Sequence, residues 1–201
     1  MRIVLPESFA MPPGGLNARW PEEPFLKLEE RLARWKIPAA LAYARANRLD
    51  RNVLGRPDSS GCALGIVSSG KGWLDTMQAL ADLGIDQQAA ELLGIRVYRV
   101  AMPWPLEPEG LREFCAGCDE ILVVEEKRAL IETQIRDHLY SMVERPRVIG
   151  KRDETGAPLL PEAGELTPGM IARVLVDRLR RLQGHGRSGA MPPALLERFY
   201  R

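Results

Sequence analysis

Between Phe25 and Gln183 the apolar positions alternate between short continuous runs and stripes at helical spacing. Phe25, Leu28, Leu32 and Trp35 recur every three or four residues behind Glu22 and Glu23, which predicts a helix; a second helix is expected to begin at Pro38, a residue suited to a first turn, and to run to about Arg48. Asn52–Leu54 reads as a short strand, and Ala63–Ser68 (ALGIVS) as a buried one. Trp73, Met77 and Leu80 then share one helical face, with a stop at Gly84. A short helix over Gln87–Leu93 leads into a strand at Arg96–Ala101, rich in β-branched and aromatic residues. Pro108–Cys115 reads as a short helix, Ile121–Glu125 as a buried strand and Ala129–Met142 as a helix with Ile131, Ile135 and Leu139 inward. Arg147–Ile149 is a candidate last strand. Thr167 is placed to cap a helix with Pro168 at its first position and Ile171, Val174, Leu175, Leu179 and Leu182 as its stripe.

Strands separated by helices imply parallel pairing, because a parallel neighbour needs a crossover and the crossover buries its apolar stripe on the sheet. The expected core is therefore a three-layer α/β/α domain of about 130 residues. Glycine and proline divide the chain around it. Residues 1–51 read as a connecting segment with two helices, its first part extended by Pro6, Pro12, Pro13, Pro21 and Pro24; residues 52–183 are the α/β domain; residues 184–201 form a flexible glycine-rich tail tipped by Leu195, Leu196, Phe199 and Tyr200. Both ends have the look of connections within a longer polypeptide.

Charge changes the picture by exclusion. With 28 Lys+Arg against 27 Asp+Glu over 201 residues, and no polybasic run, the chain lacks the electrostatic footprint of a nucleic-acid binder. Its uncharged stretches, such as Ile37–Ala44, are far shorter than a membrane span requires. Three cysteines, an odd number, do not make a disulfide scaffold and point to a cytoplasmic protein.

Open parallel sheets receive ligands at the carboxyl ends of their strands. The loops to examine are Ser68–Gly72, Met102–Pro105 and Glu125–Arg128, expected on one edge. From them come the candidate ligand or interface residues: Ser69, Gly70, Lys71, Trp104, Glu125, Glu126, Lys127 and Arg128. Gly65–Gly72 comes one residue short of a phosphate-binding loop, since Gly72 stands where a metal-ligating hydroxyl is needed and Gly65 falls inside a strand. The alternative is a tight turn with Ser69 capping the helix and Lys71 solvated. Cys115 and Cys118 are spaced like a redox pair, yet a helix C-terminus does not stabilise a thiolate, and Cys62, His138 and His185 lack ligand spacing around them. They read as ordinary loop cysteines, and His138 as a boundary residue. Glu125 and Glu126 suit acid–base work, or the dipole of the following helix. No complete catalytic constellation and no metal site emerges.

Four runs carry a family resemblance: Gly65–Ile85, Tyr98–Phe114, Glu120–Tyr140 and Arg145–Leu175, with Met11–Pro21 in support. Together they resemble the middle region of indolepyruvate ferredoxin oxidoreductase, in the bacterial form whose subunits are fused. The resemblance implies a fold like the C-terminal domain of transketolases, mostly parallel with one antiparallel edge strand, for which Asn52–Leu54 is the candidate. It further implies a parent enzyme that oxidatively decarboxylates indolepyruvate and other aryl 2-oxoacids with thiamine diphosphate, iron–sulfur clusters and coenzyme A, passes electrons to ferredoxin, and forms a homodimer. This region is expected to bind none of those cofactors and to serve in assembly, packed against other domains of the same polypeptide. Two alternatives remain: a free-standing phosphate- or nucleotide-binding protein using Ser68–Gly72, and a docking surface for coenzyme A or an electron carrier around Lys71, Trp104, Lys127 and Arg128.

Overall fold

The computed structural model describes residues 3–7, 9–17, 21–56 and 61–184. Five strands, β1 (Arg51–Leu54), β2 (Cys62–Ser69), β3 (Ile95–Val100), β4 (Cys118–Val124) and β5 (Arg147–Ile149), form one sheet in the order β1-β3-β2-β4-β5. β2 pairs in parallel with β3 and β4, and β4 with β5; β1 runs antiparallel to β3 as an edge strand, as the resemblance implied. Seven helices complete the described chain: α1 (Phe25–Arg31), α2 (Ile37–Ala46), α3 (Gly70–Asp82), α4 (Gln87–Leu93), α5 (Pro108–Cys115), α6 (Leu130–Leu139) and α7 (Pro168–Gly184).

Strand alternation sorts the core into two layers. Leu64 and Ile66 of β2, Ile95 and Val97 of β3, and Leu122 and Val124 of β4 pack under α3, α4 and α7. Val67, Tyr98, Ile121 and Val123 meet α5 and α6 on the other face. Seven of the eight residues of β2 are buried, because the central strand is covered on both sides, and this is why its sequence reads as a continuous apolar run. The three-layer α/β/α architecture expected from periodicity is the one found. At the amino edge of the sheet, Arg178 of α7 forms a bidentate pair with Glu120 of β4, both fully buried, and Arg178 Nη1 reaches Glu154 at 2.7 Å. This pair ties α7 to the sheet.

Local chemistry sets the helix ends. Asp86 Oδ1 accepts from Ala89 N at 2.9 Å, and Gly94, in the left-handed region, closes α4. Thr167 Oγ1 accepts from Met170 N at the start of α7, as expected of a cap. Two expectations need correction. Pro38 does not open a separate helix: α1 and α2 are continuous through a π-helical stretch, Leu32–Lys36, in which Ile37 N donates to Leu32 O. Proline lacks the N–H that an α-helical ladder would require there, and a widened turn just before it absorbs the gap. The cysteines are not loop residues. Cys115 ends α5, Cys118 opens β4 opposite Cys62 of β2, and all three are buried and free.

The first residues are irregular, as their prolines require, but held. Asn47 and Val4 exchange two hydrogen bonds of 2.8 Å, and Arg31 Nη1 donates to Gly15 O at 2.6 Å. The expected tail lies outside the described residues, except that Gly184 closes α7. Among the described residues no helix is long and apolar enough to cross a membrane.

Candidate functional site at the carboxyl edge

β2 and β4 are parallel neighbours, and the helices that follow them leave to opposite faces, α3 to one and α6 to the other. That is the place where a doubly wound sheet opens a crevice for a ligand. The candidate residues of the first and third loops, which the sequence puts on one edge, stand on its two sides. Their bonding differs from what it suggested.

Lys71 is exposed, but its ammonium is engaged on every side. Its Nζ donates to Asp75 Oδ2 at 2.6 Å and to Leu166 O at 2.8 Å, and stands 3.3 Å from Glu165 and 3.5 Å from Glu126. Three carboxylates and a carbonyl hold it protonated, with Asp75 the largest influence on a pKa raised above the ordinary lysine value. A lysine so engaged bridges the two loops and the segment leading into α7. Gly72, the residue that spoils the phosphate-loop pattern, has a packing reason to be glycine: a Cβ there would stand 3.0 Å from Val124 O, a backbone atom at the end of β4. The α3 N-terminus is thus pressed on the neighbouring strand. Ser69 ends β2 half-buried and makes no side-chain cap to α3, a correction to the expected N-cap; Gly70, at φ 52°, makes the turn instead.

Glu125 is bonded to the start of the helix that follows. Its Oε2 accepts from Leu130 N at 3.0 Å and Ile131 N at 2.8 Å, and its Oε1 from Glu132 N at 3.0 Å, so one buried carboxylate satisfies three donors at the start of α6. Burial pushes its pKa up, against the opposing pull of those N–H groups and of Lys151. Lys151, which the sequence reading passed over, is buried beneath it: Nζ donates to Glu125 O at 2.5 Å and Pro161 O at 3.0 Å, while its backbone N donates to Glu132 Oε2 at 2.9 Å. Burial lowers its pKa, and the surrounding glutamates partly restore it. A lone lysine far along an irregular segment gives no periodic signal, and that is why it went unmarked.

The remaining candidates lie at the rim. Lys127, at φ 57°, and Arg128 are exposed beyond Glu126. Trp104 is 58% exposed at the end of β3, beside a cis Trp104–Pro105 bond. Its loop is fixed by Gln134 of α6, whose Nε2 donates to Pro103 O and whose Oε1 accepts from Leu106 N, both at 2.9 Å. The cysteines gather at the opposite edge. Burial pushes the Cys115 thiol up to about 12, and Cys118 rises further, through its bond to Cys62 and burial. Among the described residues no group of histidine, cysteine or acidic side chains is arranged to hold a metal ion.

Among solved structures, the chain is similar to a split-gene transketolase described as an inactive beta4 tetramer, with 21% identity and a TM-score of 0.41 over 65% of this chain and 41% of that one. It is also similar to the 2-oxoglutarate:ferredoxin oxidoreductase from Magnetococcus marinus solved with 2-oxoglutarate, coenzyme A and succinyl-CoA, with 15% identity and a TM-score of 0.45 over 85% of this chain and 26% of that one. The chain spans less than half of either protein. No curated protein matches it. A family model described as the indolepyruvate oxidoreductase domain matches residues 52–191, and the chain belongs to that family.

Proposed function

We propose that the chain is a non-catalytic assembly domain of a thiamine diphosphate-dependent 2-oxoacid:ferredoxin oxidoreductase that converts indolepyruvate or related aryl 2-oxoacids to acyl-CoA. In this reading residues 1–51 connect it to a preceding domain, 52–183 form the domain proper and 184–201 lead to the next. The observation that carries the reading is how the charged groups of the crevice between β2 and β4 are held. Lys71, Glu125 and Lys151, its chemically capable groups, are each held by the protein's own carboxylates, amides or carbonyls. The described residues do not fit an iron–sulfur cluster either, since Cys62, Cys115 and Cys118 are buried core side chains at the far edge.

Two measurements test this. The purified chain is expected to carry no stoichiometric iron with acid-labile sulfide and to reduce no acceptor with indolepyruvate. In the assembled oxidoreductase, Lys71→Ala is expected to leave kcat unchanged; a large fall in kcat, or a cluster in the chain alone, overturns the proposal. A second reading has a specific observation behind it: Trp104, Lys127 and Arg128 are exposed on the same edge. They suit docking of coenzyme A or an electron carrier, and salt-sensitive coenzyme A binding lost in a Lys127→Ala, Arg128→Ala variant would select it.

A further inference from the structure

α5 and α6 cover β2, β3 and β4 on their face, and the antiparallel edge strand β1 extends beyond that cover. Between β1, the end of α2 and α5 this leaves an open cleft of about 800 Å³, lined among others by Arg48, Asp50, Arg51, Asn52, Tyr98 and Phe114. Its floor holds unused acceptors. Asp50 is 8% exposed; Oδ1 accepts from Ala101 N at 2.7 Å and Met102 N at 3.1 Å, and buried Oδ2 has no partner. Asn52 Nδ2 donates to Gly55 O at 2.8 Å, which fixes the amide so that buried Oδ1 is again an acceptor without a donor. Asn52 stands directly across from Tyr98, which is almost wholly buried, with its ring 4.8 Å from that of Phe114. Gly110 is packed closely on the Tyr98 hydroxyl: a Cβ there would come within 2.8 Å of it, 2.7 Å of Glu107 Oε2 and 3.0 Å of Arg45 Nη1.

The rim has the opposite charge. Arg45 is neutralised by a bidentate pair with Glu113 and by Glu109 at 3.5 Å, but the exposed guanidinium groups of Arg48 and Arg51 have no carboxylate partner among the described residues. Buried acceptors left open are costly unless something donates to them. A phosphate or other simple anion would face Asp50, and a simple amine would leave the rim arginines unanswered.

We propose that this cleft binds a free α-amino acid with an apolar or aromatic side chain, its ammonium donating to Asp50 Oδ2 and Asn52 Oδ1, its carboxylate facing Arg48 and Arg51, and its side chain lying against Tyr98 and Phe114. This reading is independent of the assembly role proposed above. The site is separate from the crevice between β2 and β4 and needs no other domain.

The test is calorimetric titration of the 201-residue chain with L-phenylalanine, and with phenethylamine and phenylpropionate, which lack one charged end each. Saturable binding of L-phenylalanine with Kd at or below about 1 mM is expected, at least roughly tenfold tighter than either analogue. Asp50→Asn is expected to weaken L-phenylalanine at least roughly tenfold and to leave phenylpropionate unchanged, because only the ammonium contact is lost. Arg48→Gly, which suits its backbone, is expected to weaken L-phenylalanine about threefold to tenfold and to reduce the salt dependence of binding. Absence of saturation, equal affinity for all three compounds, or binding that neither variant changes overturns the proposal.

Discussion

The crevice between β2 and β4 and the cleft beside β1 lie in the same small domain and differ in whether their charged groups find partners. In the crevice Lys71 meets three carboxylates and a backbone carbonyl, and Glu125 accepts three amides. In the cleft Asp50 Oδ2 and Asn52 Oδ1 are buried with no donor. The crevice has the motif-like sequence and the favoured topological position, yet its charged groups act on one another; Ser68 Oγ is buried there without a hydrogen bond, and Glu126 Oε1 has only the ion pair with Lys71. The cleft has no motif, and its groups are left for something else. Position in a fold makes a site available; charge left unanswered makes it useful.

The sharpest way to break this contrast is at Glu125. If its role is to hold the start of α6, Glu125→Ala should cost about 2–4 kcal/mol, since Ile131 N and Glu132 N are left buried without an acceptor. Glu125→Gln, which keeps one accepting oxygen, should cost roughly half as much. Urea unfolding followed by circular dichroism measures both, and a stable Glu125→Ala variant would return the residue to the list of candidate acid–base groups. Gly72→Ala comes next. Alanine gains helix propensity of about 1 kcal/mol but presses its methyl on Val124 O, which the strand cannot move aside, for a net loss of about 1–2 kcal/mol. A neutral result would mean that the crevice has room to open.

On the cleft side the contrast is sharpened by pH. Burial raises the Asp50 pKa, with the amides of Ala101 and Met102 opposing it in part. The folded chain therefore holds this proton more tightly than the unfolded chain does. The stability it contributes is complete below the unfolded value of about 3.9 and is lost as pH rises through the raised folded value. Asp50→Asn keeps an oxygen for both amides and does not titrate, so its stability relative to the natural chain should improve between about pH 3 and about pH 7. Urea midpoints at the two ends of that window measure it. A difference that does not change, or changes the other way, would show that Asp50 Oδ2 already has a partner in solution.

What could be read from the sequence follows from which signals are local. The sheet and its flanking helices were legible because β2 and β4 are continuous apolar runs and α7 carries an unbroken stripe, and because caps such as Asp86 and Thr167 act within three residues. The carboxyl-edge loops were legible as places for the same reason. Their bonding was not. Lys71 meets Leu166 and Glu165 from a segment far along the chain, and Lys151 reaches Glu125 across 26 positions. Asp50 was assigned to a connecting segment because a single acid before a short strand has no pattern; its meaning arises only when β1 folds against β3 and brings it to Ala101 and Met102. The π-helical stretch before Pro38 is a similar case, since a proline marks a helix start and an interrupted helix alike.

The smallest expected effect separates backbone from side chain at one residue. α2 ends in a Schellman turn: Leu49 N donates to Ala44 O at 3.1 Å and Arg48 N to Arg45 O at 3.2 Å, with Arg48 at φ 47° where glycine is the usual choice. An arginine in the left-handed region carries backbone strain that glycine does not, against the greater freedom glycine has when unfolded. Arg48→Gly should therefore stabilise the chain by about 0.5–1 kcal/mol, a small rise in Tm measured by scanning calorimetry. The same substitution removes half of the positive rim of the cleft. A chain that becomes more stable while its hold on L-phenylalanine weakens would show that the arginine is kept for its guanidinium. A chain that loses stability would show instead that Arg48 supports the turn, and its place at the rim would then be incidental to the fold.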